Sequence, residues 1–498
     1  MVAAGSADTG EAVAICPKMS STFPGVEVYK LGNNDKTKYE TQLCKDQGNR
    51  PTSRIAKFKQ SVSCAYTGSI LSYYHLSRIL GDALNVPTAV IRTMDVSQHA
   101  KVAKRGSEWS SDLNQKLWQQ VLGYDSNVRP RANYFSADGR TVFGALSMNP
   151  KGEERYVEIN QNFADPTTSR LKFLERAQVQ RIFNQAGVGS LAQRTLASAA
   201  PVLQQMRDIS DLIVVDHIMQ QQDRFGNIHY QDYYYYQDAS GNIDRKRISR
   251  SGDAITTPKP TPDAVIVKRM LLKDNDCGSR AGNPKAFSLD DVKRIRHMSP
   301  RTYRGIRFLA QAWRNGTAKT FFQTEALLNT PDALESTGID DFGRRLLNVA
   351  DTLYANCKAG NLLLDLSIED HLKGLNLPEQ VKQRCEEIHT PDGNNENKNP
   401  QPVPTAPVPQ PTVVNQTPTP VTPVFSPRGC TVTSNDGAAN VRKSPNGDIY
   451  MVLNNGASVR AVGEDGSWYS VEYRLNQLDH GGKFGRPAWI FKTLLNCN

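Results

Sequence analysis

The stretch Asp211-Leu212-Ile213-Val214-Val215-Asp216-His217-Ile218-Met219-Gln220-Gln221-Gln222-Asp223-Arg224-Phe225-Gly226-Asn227 is an apolar, helix-like run that ends in an Asp-Arg pair and a Gly-Asn turn. A hairpin with its turn at Ser240-Gly241-Asn242 follows. A second apolar run, from Ala264-Val265-Ile266-Val267 to Met270-Leu271-Leu272, is rich in β-branched residues and delivers Lys273-Asp274-Asn275-Asp276. Two acidic clusters at the ends of apolar elements suit phosphoryl transfer. One carboxylate can orient or take the acceptor's proton while the other holds the divalent ion that bridges nucleotide phosphates.

Upstream, the strand-like Arg54-Ile55-Ala56-Lys57-Phe58-Lys59 places Lys57 and Lys59 on one face, because strand side chains alternate. A helix-like run from Ser69 to Leu80 comes next, and no acidic residue lies between Lys59 and Gly81. The region up to about Gly187 mixes such strands, Val26-Glu27-Val28-Tyr29 among them, with this helix. From about Leu191 to Ile388 the pattern is mainly helical: Ser288-Leu289-Asp290-Asp291 reads as an N-cap with an acidic first turn, and Ile306, Leu309, Ala310 and Trp313 keep the helical period. Further helices are expected around Phe342 to Asn356 and Leu377 to Ile388. A strand-rich lobe (about 1–187) followed by a helical lobe (about 191–390) is an α+β architecture.

The loop Asp223-Arg224 and the turn Asp274-Asn275 resemble the catalytic loop and metal-binding turn of atypical kinases: the secretory-pathway protein kinases that include the Golgi casein kinase, the phosphoinositide kinases and the HipA-like bacterial kinases. Asp216-His217-Ile218-Met219 resembles the helix ahead of that loop. In the first lobe, Tyr73-Tyr74-His75-Leu76-Ser77-Arg78-Ile79-Leu80-Gly81 and then Asn85-Val86-Pro87-Thr88 resemble the helix, turn and Val-Pro strand of the same families. The resemblance spans about Arg54 to Arg280 and implies a two-lobed kinase-like domain over 1–390. It makes Asp223 the catalytic carboxylate and Asp274 the ligand of Mg²⁺ or Mn²⁺, with Asn227 as second metal ligand and Lys57 or Lys59 on the phosphates of ATP. The helix that in these families carries an ion-pairing Glu has Ile70 and Ser72 near that place and no acid, and three further positions depart from the family pattern. Phe225 stands where these families place His, Asn227 follows Asp223 by four positions where five is usual, and Asp276 occupies the place of the family's glycine. Two nearby carboxylates, Asp274 and Asp276, are expected to repel one another without metal.

Ten of the 28 prolines lie between Pro400 and Pro427, after the polar run Asp392 to Asn399. Such a segment has no apolar face to bury and its rings keep it extended, so 391–428 reads as a semi-rigid spacer. Beyond it, over 429–498, short apolar runs alternate with Gly-bearing turns at Asn446-Gly447, Asn454-Asn455-Gly456 and Asp465-Gly466, the pattern of a small all-β barrel. Ala439-Asn440-Val441-Arg442-Lys443-Ser444-Pro445, Gly466-Ser467-Trp468-Tyr469-Ser470-Val471 and Ala488-Trp489-Ile490 resemble the bacterial SH3 domain. That resemblance implies a targeting module for a cell-wall peptide or a protein.

The eight cysteines form no CxxC pair, and none stands at zinc-finger spacing with histidine. Cys430 and Cys497 bracket the last segment as a staple would, and the set reads as mostly disulfides of an extracytoplasmic, bacterial chain, periplasmic or secreted. The first twenty residues carry one basic residue, Lys18, and no continuous apolar run of export-signal type. No apolar stretch approaches the roughly 18–20 residues of a membrane span.

The net charge of +10 favours anionic partners. Tyr233-Tyr234-Tyr235-Tyr236 reads as a structural edge strand, and the basic run Lys293 to Arg307 lacks, apart from Tyr303, the aromatic interleaving of a nucleic-acid face. No serine sits in a nucleophile-elbow context. The function that follows is an extracytoplasmic ATP-dependent phosphotransferase with an unidentified acceptor, whether protein, lipid or small molecule. The alternatives are a catalytically weak pseudokinase and a cell-wall-tethered binding protein.

Overall fold

The computed structural model describes residues 12–19, 22–48, 50–128, 134–160, 166–279, 285–328, 338–376 and 382–386, and then 427–434, 438–442, 449–465, 467–473 and 488–497. Contacts divide the chain into two units, Met1–Asn397 and Lys398–Asn498. Most of the Pro-rich spacer, and the helix expected over Leu377 to Ile388 apart from 382–386, lie outside the described residues. The architecture is mixed α+β with antiparallel sheets.

The first unit opens with β1 (Val13–Pro17), β2 (Val26–Lys30), α1 (Lys36–Thr41), β3 (Arg54–Lys59), α2 (Thr67–Ile79), β4 (Ala89–Asp95), α3 (Val96–Trp109), α4 (Asp112–Ser126) and β5 (Thr141–Met148). The five strands form one antiparallel sheet in the order β1-β2-β3-β5-β4. The α3–α4 hairpin, inserted between β4 and β5, is absent from the sequence reading. Its buried stripe on α3, His99, Val102, Ala103 and Gly106, keeps the i, i+3, i+4, i+7 helical spacing but is built from small and polar residues rather than from large apolar ones. Gly106 leaves room for the Trp118 ring, where any Cβ would collide with it. Trp118, Leu117 and Val121 then cover Val13, Ile15, Val26, Val28 and Phe58 of the sheet.

After β6 (Glu154–Arg155), α5 (Pro166–Leu174) and α6 (Ala177–Asn184) comes the 24-residue α7 (Leu196–Met219), capped by the Thr195 side chain. From Asp208 to Met219 every residue of α7 is buried, so this helix is the axis of the larger core rather than an amphipathic surface helix. Each fully buried Leu, Ile or Val contributes roughly 1.5–3 kcal/mol. The helix stops at Gln220, which is left-handed (φ 50°), and the chain turns into the 221–227 loop.

Next come β7 (Ile228–Gln237), β8 (Ile243–Arg247), the short pair β9 (Arg250–Ser251) and β10 (Ala254–Ile255), and β11 (Val265–Leu272). Strand β7 pairs with β11 on one side and with β6 and β8 on the other, so the four tyrosines lie on an interior strand, which corrects the edge-strand expectation. They divide by alternation. Tyr233 and Tyr235 pack with Leu196, Ala200 and Val267, while Tyr234 and Tyr236 pack with Ile248 and Ala264.

The rest is helical: α8 (Leu289–Lys293), α9 (Pro300–Arg314), α10 (Thr317–Glu325), α11 (Ile339–Lys358) and α12 (Ile368–Leu372). A capping box at Ser288 and Asp291 starts α8, as the sequence implied.

The second unit is a seven-stranded antiparallel sheet, β12 (Arg428–Val432) to β18 (Leu495–Cys497). Cys430 faces Cys497 in the β12–β18 register and the two are bonded. The remaining disulfides are Cys16–Cys44, Cys64–Cys277 and Cys357–Cys385, so no cysteine is free. A chain with all eight cysteines paired fits an oxidising, extracellular compartment. Among the described residues, no helix is long and apolar enough to cross a membrane.

Candidate active site

Three ends meet in the first unit: the C-terminal end of β3, the loop after α7 and the loop after β11. Lys57 and Lys59 lie on the first, Asp223 and Asn227 on the second and Asp274 on the third. A solvent-open cleft is lined by Lys57, Lys59, Lys273, Asp274 and Asp276, with Ile70, Val86 and Met148 as its apolar side. The cleft therefore unites both lysines with Asp274. Asp223 and Asn227 are not among its lining residues and stand beside it on the 221–227 loop.

Lys59 is buried and its Nζ forms an ion pair with Asp276. Burial opposes the ammonium's charge, yet Asp276 and Asp274, with Asp223 behind them, hold it above the ordinary lysine range. Lys57 has no hydrogen-bond or ion-pair partner among the described residues. Burial lowers its pKa, and Asp274 offsets part of that effect. At Asp274 burial works against ionisation, but Lys59, Lys57, Lys18 and Lys273 outweigh it and keep the carboxyl well below the usual range. Asp274 also adopts a left-handed backbone (φ 54°), which aspartate tolerates better than bulkier residues do. At Asp274 the surrounding lysines thus outweigh any repulsion from Asp276.

Asp223 lies at the exposed rim. Partial desolvation of its carboxyl, then Asp276 and Asp274, raise its pKa, while Arg224 and Lys59 oppose the shift. Asn227 donates from Nδ2 to the Asp223 carbonyl at 2.9 Å, which leaves Oδ1 as its free ligating atom. The glycine between them has φ 98°, and its N–H donates to the buried Asn160 Oδ1 at 2.8 Å. A side chain at Gly226 would strain this turn.

A buried network fixes the two acidic loops to each other. Arg224 grips Asp216 with two bonds, Nε to Oδ2 at 2.7 Å and Nη2 to Oδ1 at 3.2 Å. It also donates to the Lys273 carbonyl (3.0 Å) and to Asn275 Oδ1 (2.7 Å). Tyr73 of α2 donates to Asp216 Oδ1 at 2.6 Å, and Ser69 donates to the Asn275 carbonyl at 2.6 Å. The Tyr66 N–H reaches the Asp276 carbonyl at 2.8 Å, and Cys64–Cys277 closes the same junction covalently. The helix without an acid is therefore tied to α7 by the Tyr73 hydroxyl and to the loop after β11 by the Ser69 hydroxyl, with the Tyr66 N–H and the disulfide just ahead of it.

The sequence reading missed Lys18. It sits in the β1–β2 connection, where its carbonyl accepts from Asn114 Nδ2 (3.2 Å) and Trp118 Nε1 (3.3 Å) of α4. Burial, then Lys59 and Lys57, push its pKa down to about 7, against the pull of Asp274 and Asp276. No local motif marks it, because its place depends on the unanticipated α3–α4 hairpin. Asp276 as the partner of Lys59 was also missed, although it was visible as the third residue of an Asp-Asn-Asp run.

Among the described residues, no three His, Cys, Asp or Glu side chains converge as a self-sufficient metal cage. Asp276 is taken by Lys59, which leaves Asp274 as the cleft aspartate with no hydrogen-bond or ion-pair partner among the described residues and as the carboxylate that could take Mg²⁺ when phosphate oxygens complete its shell. The residues fit a metal that arrives with a polyphosphate. Family models, curated proteins and solved structures give no match for this chain.

Proposed function

We propose that the chain is an extracytoplasmic ATP-dependent phosphotransferase of the atypical kinase type, its first unit two-lobed and kinase-like and its second an SH3-like targeting module. The observation that carries the reading is the convergence of Lys57 and Lys59 with Asp274 and Asp276 in one cleft, beside Asp223, from three segments far apart in sequence. Lys57, the lysine without a partner, contacts the α- and β-phosphates. Lys59 stays on Asp276 and keeps the acidic loop against β3. Asp274 and the Oδ1 of Asn227 hold Mg²⁺ or Mn²⁺, and the ion when bound neutralises charge on the phosphates being parted. Asp223, at the rim with a raised pKa, orients the acceptor hydroxyl and takes up its proton.

The closed Lys59–Asp276 pair and the absence of an acid on α2 favour a second reading, a pseudokinase or a cell-wall-tethered binding protein. Calorimetric titration of the full chain with ATP in the presence of Mn²⁺ separates them. The phosphotransferase reading requires saturable binding, and no heat at millimolar nucleotide sinks it.

A further inference from the structure

A second charged cluster surrounds the turn between α2 and β4, and none of its side chains lines the cleft. Arg78 of α2 and Arg245 of β8 both pair with Asp82, the latter at 3.0 Å. Arg269 of β11 stands 3.7 Å from the same carboxylate, and Arg207 of α7 donates to the Gly81 carbonyl at 3.5 Å. Arg301 of α9 lays its aliphatic stem against Gly81, where any Cβ would collide with it. Four elements thus bring four guanidinium groups to one turn, and a fifth arginine, Arg301, crosses it with its stem and stands next to Arg207. Gly81 and Asp82 are both left-handed (φ 70° and 68°), which exposes the backbone to that approach.

The charges do not balance. The acids in reach are Asp82, Asp211, whose Oδ2 is 3.5 Å from Arg207 Nε, and Asp208, whose carboxylate accepts from the Met270 N–H and Gln204. Asp208 and Asp211 are buried on α7 and turned inward. Even with all three ionised, five arginines against three acids leave two positive charges uncompensated. Arg301 is exposed, has no hydrogen-bond or ion-pair partner among the described residues, and has Arg207 and Arg304 as its charged neighbours. A purely structural clamp has no use for a free guanidinium pressed among like charges, whereas an oxyanion does. Guanidinium forks match phosphate oxygens in planar, paired hydrogen bonds, which lysine does not offer.

We infer that Arg301, Arg207, Arg245 and Arg78 form a receptor for one dianionic phosphate group beside Asp82, separate from the cleft. The group is either free phosphate or a phosphate ester carried by another molecule. The full chain is titrated with inorganic phosphate and, separately, with phosphoserine, at constant ionic strength and without nucleotide or metal, using melting temperature and calorimetry. The parent, Arg301→Ala, Arg301→Lys and Lys57→Met proteins are compared.

Saturable phosphate binding is expected in the parent and in Lys57→Met, with affinity at least tenfold weaker in Arg301→Ala and partly restored in Arg301→Lys. Arg301→Lys, which keeps an aliphatic stem against Gly81, should melt close to the parent without ligand. Tighter binding of phosphoserine assigns an ester as the natural source, and tighter binding of phosphate assigns the free ion. The inference is overturned by no binding, by an effect that sodium chloride reproduces at the same ionic strength, by equal affinity in parent and Arg301→Ala, or by loss of binding in Lys57→Met. That last result would place phosphate in the cleft.

Discussion

Lys59 and Asp276, separated by 217 positions, form a buried ion pair that joins the end of β3 to the loop after β11. Its two side chains keep only 9 % and 5 % of their exposure, so neither charge has water to fall back on.

Breaking this pair from one side leaves an uncompensated buried charge. Lys59→Met or Asp276→Asn alone should each cost about 3–5 kcal/mol, as buried pairs do when one partner is removed. The double variant should cost much less than the sum, because it removes the orphan together with its cause. Urea denaturation of the four proteins measures the coupling. Additive losses would show that the two groups do not depend on each other.

Asp274 links the site to pH. Its folded pKa is depressed by Lys59, Lys57, Lys18 and Lys273 against the effect of burial, so its contribution is present above the unfolded value of about 4 and lost as pH falls below it. Asp274→Asn should therefore melt lower than the parent at pH 7, and the gap should narrow below about pH 4. The sequence-level expectation of relieved repulsion forecasts the reverse: a variant at least as stable as the parent at pH 7. Melting temperatures across pH decide between them.

Lys18 has the opposite sign. With its folded pKa lowered from 10.5 to about 7, the unfolded chain binds the extra proton between those values, and stability rises with pH across that window. Lys18→Met should be more stable than the parent at and below pH 7, by about 2–4 °C for each kcal/mol relieved, with the advantage fading toward pH 10.5. A pH-independent difference would remove the lysine cluster as its cause.

The Cys64–Cys277 bond closes a loop of 213 positions and sits next to Asp276. In the chain-entropy view its loss costs about 4–5 kcal/mol. Replacing both cysteines by serine should also weaken nucleotide binding more than removal of Cys16–Cys44, whose bond ties β1 to the segment after α1. In the second unit, loss of Cys430–Cys497 should cost roughly 2–4 kcal/mol. Mass spectrometry of a non-reduced digest should recover all three linked peptides, and a free thiol at any of these positions would contradict the pairing.

Short-range features were readable in the sequence. The α7 run and the 223–227 turn, the β11 run and its Asp-Asn-Asp end, and the alternation of Lys57 and Lys59 each depend on neighbours within a few residues. Partners brought together by tertiary folding were not readable: Lys59 with Asp276, Arg224 with Asn275, and Cys64 with Cys277 among the 105 full pairings that eight cysteines allow. Lys18 was hidden for a related reason, since Trp118 and Asn114 of α4 meet its carbonyl across about a hundred positions of sequence. The interior place of the tyrosine strand also follows from long-range pairing, with β6 and β8 sharing its second side.

The most direct test of the account compares the melting temperature of the parent and of Asp274→Ala, each with and without ATP and Mn²⁺. If Asp274 holds the ion against the nucleotide phosphates, the parent gains a clear upward shift that requires both ligands, and Asp274→Ala loses it. A variant that melts lower than the parent yet keeps the full nucleotide-induced shift would contradict the metal role of Asp274 and the phosphotransferase site built on it.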